Sequence, residues 1–189
     1  MITVTTPPVG YPVSLDELKA QLRVGDDEDA FLTGIIAAAT AYVEERLGRS
    51  LLTQTLTATF ARFPACRAHG VVLPRGPVQT VEEVAYYDTD GLDATISLFQ
   101  VQKTFAGAVL LPAIGEYWPL VETDRADAVT IEYTAGYGIA ADVPMPIRQA
   151  IQIIAADLYE RRTDIVVGAS VARLEVADML LSPYRVIGF

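Results

Sequence analysis

The sequence contains almost no cysteine, histidine or lysine. A single cysteine, Cys66, cannot build a disulfide framework within the chain, and a single histidine, His69, excludes the common histidine-rich metal sites. Only two of the 14 basic residues are lysine, and the arginines that make up the rest favour fixed, bidentate contacts with other proteins. These shortages exclude disulfide-rich secreted folds and zinc-binding modules.

Long apolar runs are also missing. No stretch approaches the roughly 18 consecutive apolar residues that a membrane-spanning helix requires. The first residues, MITVTTPPVGYPVS, lack the basic start and apolar block of a signal peptide. We therefore expect the protein to be made and kept in the cytosol. Hydrophobic residues still make up 51% of the 189-residue chain, which is enough for a proper core.

Negative charge predominates, with 24 acidic residues against 14 basic ones and a formal net charge of −10. An acidic surface repels the phosphates of nucleic acids, so a protein that reads DNA or RNA sequence is not expected. DNA can still pass close to such a surface without being bound.

Motifs that carry catalysis are absent. The chain has no GxSxG, no phosphate-binding GxxxxGKS/T, no HExxH and no GxGxxG. Cys66 and His69 lie close together in CRAHG, as a nucleophile and its base would, but nothing in the sequence supplies an orienting partner. We expect no enzymatic activity, no cofactor and no metal.

One acidic turn is the strongest argument for an enzyme. Asp88, Asp90 and Asp93 in DTDGLD could gather oxygen ligands around a divalent cation, as in a hydrolase or nuclease. Their spacing does not match the twelve-residue calcium loop, and strand-like residues flank them. A hairpin turn is therefore the preferred interpretation.

Apolar residues recur at helical spacing near both ends of the chain. Ser14 with Glu17 has the pattern of a capping box, Gly48 is a left-handed terminator, and Pro146 suits a first helical turn. A brief last helix is ended by Ser182 and Pro183. The predicted helices begin at residues 15, 26, 146 and 175, and the stretch 163–176 is predicted to be a loop or extended link.

Between Leu51 and about Gly138 the hydrophobic period changes to two. Threonines alternate with apolar residues in TQTLTATFARF, which is typical of a strand with one face exposed to solvent. Further strand-like stretches are GVVLP, VEEVAYYD, ATISLF, AVLLP and AVTIEYTAGY. Short strands joined by turns predict an antiparallel sheet or small barrel.

Together these patterns predict an α+β fold. A small helical bundle, with two helices before and one or two after, carries a large antiparallel β insertion between the second and third long helices. Residues 1–189 are expected to form a single domain. Its parts are helical segments at about 14–48 and 144–182, the β insertion at about 51–138, and a C-terminal tail, 183–189.

The helical blocks also have a recognisable order. SLDELKAQLRV, DDEDAFLTGIIAAATAYVEERLGRSL, VTIEYTAGYG and VPMPIRQAIQIIAADLYERR resemble in order and spacing the head-tail connector (adaptor) proteins of tailed bacteriophages, the gp6-like connector family. The resemblance spans nearly the whole chain, and gene transfer agents would use the same protein. It implies a structural ring protein that sits below the portal vertex, prolongs the DNA channel and offers a platform for the tail.

The resemblance also implies partners and a location. The partners are the portal protein, other copies of the chain in a ring of about twelve subunits, and a tail-side stopper or tail protein. DNA passes through the channel without sequence-specific binding, and no membrane is involved. The protein would be assembled in the bacterial cytoplasm and reside in the neck of a virion or phage-like particle. Another neck or tail protein, such as a stopper or terminator, is the alternative within this class.

The apolar tail is the candidate interface with the portal or a neighbouring subunit. From Tyr184 onward it follows a proline break and is expected to be extended, so it could add a strand to a partner's sheet edge. Sealing the chain's own core is the alternative. The residues assigned to this interface are Pro183, Tyr184, Arg185, Val186, Ile187, Gly188 and Phe189. Arg161, Arg162 and Trp118 are further interface candidates, and Trp118 also suits the sheet core.

Overall fold

The computed structural model describes residues 1–64, 70–161 and 169–186 of the chain, with side chains from residue 175 onward in the last range. The chain forms two compact units, and each unit combines two separate stretches of sequence. The β unit contains Met1–Pro8 and Thr53–Gly136, and the helical unit contains Val9–Leu52 and Tyr137–Phe189. In the part of the chain described, no helix combines the length and the apolar character needed to cross a membrane.

The α-helices described in the helical unit are α1 (Leu15–Leu22), α2 (Asp29–Leu47), α3 (Met145–Glu160) and α4 (Ala169–Leu181). The predicted capping box starts α1: the Ser14 side chain accepts from the Glu17 N–H, and the Glu17 carboxylate accepts from the Ser14 N–H at 2.8 Å. Gly48 ends α2 in the left-handed conformation at φ 65°, which lets its N–H bond back to the last turn. The start of α1 and the end of α2 are thus fixed by local sequence.

The apolar faces of α2 and α3 supply most of the core of the helical unit. Their buried residues recur at spacings of three and four, as predicted. Burying one large aliphatic side chain contributes about 1.5–3 kcal/mol, so packing of these faces outweighs helix propensity. The buried core residues of the two helices are Leu32, Ile35, Ile36, Ala39, Val43, Leu47, Ile147, Ala150, Ile151, Ile154 and Ala155.

Two antiparallel sheets form the β unit. The strands are β1 (Ile2–Thr6), β2 (Gln54–Phe60), β3 (Val71–Leu73), β4 (Val78–Tyr87), β5 (Asp93–Thr95), β6 (Phe99–Lys103), β7 (Ala108–Pro112) and β8 (Val129–Ala135). The larger sheet has the order β1-β2-β8-β4-β5, and the smaller has the order β3-β7-β6. Consequently β1 and β5 are opposite edges of the five-stranded sheet.

The central strand β8 organises the core of the β unit. Every second residue along it is buried, and Tyr133 lies opposite Leu56 of β2 and Val81 of β4. The Tyr133 hydroxyl donates to the Pro74 carbonyl at 2.9 Å, which satisfies the polar end of this buried ring. Burial raises the pKa of Tyr133 to about 12, so the hydroxyl stays a neutral donor at physiological pH.

The α+β class is confirmed, with an antiparallel β region between the second and third long helices. Of the two β arrangements predicted, the structure shows open sheets. The β insertion was predicted to run from about residue 51 to about residue 138. In the structure, the first strand after α2 begins at Gln54 and the last strand before α3 ends at Ala135. That the whole chain acts as a single connector domain stays a prediction.

Two local predictions were wrong, and one strand was not predicted. The strand is β1, whose stability comes from pairing with β2 about 50 residues later. The link predicted over 163–176 contains the first half of α4, which begins at Ala169. Tyr184 ends a 3₁₀ turn, Ser182–Tyr184, instead of beginning an extended segment, because Pro183 fits the first turn of such a helix.

Candidate interaction surfaces

Main-chain contacts attach the start of the C-terminal tail to the end of α2. The Val186 N–H donates to the Leu47 carbonyl at 3.0 Å, and Arg49 Nε donates to the Tyr184 carbonyl at 2.6 Å. Arg49 is only 3% exposed, so the second hydrogen bond is shielded from water. We call residues 184–186 the tail root. Residues 184–186 are therefore held against the end of α2.

The predicted tail residues occupy different environments. Tyr184 is half-buried and packs against the helical core, whereas Pro183 and Arg185 are exposed. Val186 is half-buried beside Gly48. Tyr184 thus covers part of the chain's own core, and docking of the tail on a partner stays a prediction. Ile187, Gly188 and Phe189 lie outside the described residues.

The other interface candidates have local contacts. Arg161 binds Asp157 one turn earlier in the chain, with 2.8 Å between Nε and Oδ2. Trp118 is half-buried and stacks on Phe63, with ring centroids 4.6 Å apart and planes inclined by 3°. Its buried indole N–H has no acceptor among the described residues. Arg162 lies outside the described ranges, and a role of these residues at an interface stays a prediction.

The acidic turn is a hairpin connection between β4 and β5. Asp88 Oδ1 accepts hydrogen bonds from the N–H groups of Asp90 and Leu92, at 2.9 and 3.0 Å. This pattern explains Asp88 as a turn residue. Within the ranges that the structure describes, no three histidine, cysteine, aspartate or glutamate side chains are grouped as metal ligands would be. Cys66 and His69 lie outside those ranges.

A partly buried ion pair connects the start of α1 to α3. Arg148 Nη2 donates to Glu17 Oε1, and Arg148 Nε donates to the Pro12 carbonyl at 3.0 Å. The pKa of Glu17 is lowered, first by the hydrogen bond from the Ser14 N–H and then by the Arg148 guanidinium. The ionised carboxylate therefore ties the helix cap to the neighbouring helix.

Sequence reasoning missed two surfaces of the β unit. One is β1, although the alternation in ITVTT was a usable signal. The other is a groove of about 350 Å³ beside β5, whose lining residues are up to 33 positions apart and are joined only by the sheet topology. We call it the aromatic groove, and its main lining residues are Tyr86, Ile96, Leu98, Pro112, Tyr117 and Trp118.

Known proteins share both the sequence pattern and the fold. The model of a family described as phage gp6-like head-tail connector protein matches residues 12–112. A chain in the neck of an empty gene transfer agent particle, solved with C6 symmetry, is 25% identical with a TM-score of 0.81, and the match covers 100% of this chain and 97% of that chain. No curated protein sequence matches the chain.

Two further solved chains have the same fold over the same shares of both chains. One, from the virion of a native gene transfer agent particle, is 25% identical with a TM-score of 0.78. The other, from the neck of a native gene transfer agent particle with C12 symmetry, is 24% identical with a TM-score of 0.78. The similarity therefore extends through both the helical and the β unit.

Proposed function

This chain belongs to the phage gp6-like head-tail connector family, and from that premise we propose that about twelve copies form a ring beneath the portal of a phage-like particle. The protein is a structural head-tail adaptor. The observation that carries the ring is the match, over 100% of the chain at a TM-score of 0.81, to a chain in a gene transfer agent neck. The ring extends the DNA channel and provides the attachment platform for a tail-side stopper or tail protein.

The role is one of contact surfaces and requires no catalysis. Copies made in the bacterial cytoplasm bind the portal and remain in the neck of the finished particle. Membership in a family of structural connectors supports this assignment. No sequence-specific binding of DNA is involved.

Particles made without this chain test the function. We expect filled heads that do not join tails and that lose their genome, because the channel has neither its extension nor its platform. Electron microscopy and nuclease-resistant DNA content measure both effects, and supplying the unsubstituted chain should restore them. Tailed, DNA-retaining particles made without the chain would disprove the role.

The tail, residues 183–189, is the part of the chain that we propose binds the portal or a neighbouring copy. The apolar composition of the tail supports this role, and the hydrogen bonds of the tail root hold its first residues in place. Segments of this kind can add main-chain hydrogen bonds at a partner's sheet edge, with side chains in pockets.

Deleting residues 187–189 tests tail docking without touching the tail root. The shortened chain should unfold at the same temperature as the full chain, because Tyr184 and Val186 keep their contacts. It should no longer sediment with portal-bearing heads. A chain that carries three serines at 187–189 controls for length, and normal binding by both variants would rule out docking through these residues.

The acidity of the chain supports free passage of DNA through the ring. Each copy carries a net charge of −10, and a negative channel wall repels phosphates rather than gripping them. Replacing the acidic residues of the channel wall by lysine should slow genome ejection, as followed by the release of labelled DNA. Unchanged ejection would count against this use of the charge.

A further inference from the structure

Neighbouring copies in the proposed ring have to meet despite electrostatic repulsion. Each copy carries a net charge of −10, so like-charged surfaces in contact are unfavourable. The centres of protein interfaces are depleted in charged residues. A head-to-tail ring also needs two different surfaces on opposite sides of each subunit. The β unit has one surface poor in charged side chains at each edge of its larger sheet.

The first surface is the outer edge of β1. This strand pairs only with β2 among the described residues, and all five of its residues are exposed. Residues 2–15 include no charged side chain. Edge strands are usually shielded by charged side chains or prolines, but β1 contains neither. An edge of this composition is typical of a strand that pairs or docks elsewhere.

The second surface is the aromatic groove, which lies at the opposite edge of the sheet, beside β5. Phe63 packs against two of its lining residues: it stacks on Trp118, and it meets Tyr86 edge-on with ring centroids 6.2 Å apart. Leu98 and Tyr117 are 74% and 73% exposed, so their side chains are accessible at the groove. Glu116 is its one charged lining residue among those described.

We infer that β1 of one copy docks in the aromatic groove of the next copy. The inference rests on the proposed ring and names the contact that closes it. Ile2 and Val4 lie on the same face of β1, and Val4 is 54% exposed, so uncharged β-branched side chains are available to a groove whose lining is mainly aromatic and apolar. Four strand spacings of about 4.8 Å separate β1 from β5 by roughly 19 Å, so the two surfaces face different neighbours.

Two acidic substitutions test the contact in the full chain, one in each surface. Val4→Asp and Leu98→Asp each add a negative charge to an exposed position. Each variant alone should self-associate at least ten-fold more weakly than the unsubstituted chain, measured by sedimentation in the presence of purified portal-bearing heads. Ile139→Asp adds the same charge to an exposed apolar residue outside both surfaces and should assemble normally.

Mixing the two variants shows whether the surfaces are partners. A Val4→Asp copy keeps an intact groove, and a Leu98→Asp copy keeps an intact β1, so an equimolar mixture should form dimers that cannot grow into rings.

A second test, chemical cross-linking, places Val4→Cys and Leu98→Cys in a Cys66→Ser chain. A bismaleimide should link this chain into a ladder of multimers on heads, whereas chains with either cysteine alone should give none.

The results separate the inference from the proposed function. Rings that form from either acidic variant as from the unsubstituted chain would overturn the inference, and so would a mixture without dimers or a double-cysteine chain without a ladder. An equal loss of assembly in Ile139→Asp would overturn it too, because a negative charge at any exposed position would then be enough to weaken assembly. If the unsubstituted chain itself forms no ring on portal-bearing heads, the proposed function fails instead.

Discussion

At the scale of single residues, Arg49 is a buried cation that donates a hydrogen bond to a main-chain carbonyl. Its guanidinium reaches a carbonyl 135 positions later in the sequence, and this fixes the tail root against α2. Such a contact is visible only in the folded chain. The capping box of Ser14 and Glu17, by contrast, could be predicted from the sequence, because its partners are three residues apart.

Arg49→Met should destabilise the chain by about 1–3 kcal/mol, because the buried Tyr184 carbonyl loses its charged donor while the aliphatic part of the side chain is kept. Urea denaturation measures the free energy of unfolding. Arg185→Met removes the same charge from an exposed side chain and should change that free energy by less than about 0.5 kcal/mol. Equal effects of the two substitutions would refute the role given to Arg49.

Glu17 should make the stability of the chain depend on pH in the acidic range. Its pKa is lowered in the folded state, so the ionised carboxylate stabilises the fold above the unfolded pKa of about 4.3, and this contribution is lost as pH falls through the folded pKa. Glu17→Gln lacks the contribution at every pH.

The difference in unfolding free energy between the unsubstituted chain and Glu17→Gln should therefore be largest near neutral pH and shrink on acidification. Denaturation in urea at a series of pH values measures it. Asp16→Asn removes a carboxylate from an exposed position in the same helical turn and serves as the control. A difference that stays constant over the series would show that Glu17 acts by packing alone.

At the scale of elements, one glycine inside α2 and one directly after its last residue have opposite roles. Gly34 lies inside the helix with open space where a Cβ would stand, whereas Gly48 ends it at φ 65°. Only the second position requires glycine, because a side chain disfavours the left-handed conformation.

Gly34→Ala should raise the free energy of unfolding by about 0.5–1 kcal/mol, and Gly48→Ala should lower it by about 1–2 kcal/mol. Chemical denaturation of the two variants side by side measures both signs. A Cβ at Gly48 would meet Val186 Cβ at 3.7 Å, an ordinary contact, so backbone strain and not crowding is the cause. The same sign for both variants would contradict this account.

The elements that the sequence predicted well are those with local signals. α2, α3 and β8 have long, regular apolar patterns, and each was predicted as an element of the observed type. β1 was missed because it depends on pairing with β2, about 50 positions later in the sequence. The first half of α4 was also missed. The aromatic groove combines residues from separate strands and loops, so only the sheet topology brings it together.

At the scale of the whole molecule, net charge and assembly oppose each other. Copies that carry a net charge of −10 repel, while the inferred contact between them is apolar. Salt should therefore help the copies associate. An assembly held by ion pairs between copies would respond in the opposite way.

Raising the salt concentration from about 0.1 M to about 1 M shortens the Debye length from about 10 to about 3 Å. We expect the association constant between copies to rise several-fold over this range, as measured by sedimentation equilibrium. Sucrose at matched osmolality, which strengthens apolar burial without screening charge, should raise the association constant less than salt does if screening is the cause. A constant that falls with salt would show that opposite charges hold the copies together.

The interleaving of the two units has a consequence for synthesis on the ribosome. Val9–Leu52 emerges early, but α3 and α4 follow only after Thr53–Gly136 has been translated. During that interval the nascent chain carries the apolar face of α2 without its partner helix, and such faces attract chaperones. All residues of the β unit are translated before the helical unit is complete. Premature release from the ribosome would therefore yield a fragment with an exposed apolar helix face, which is prone to aggregate.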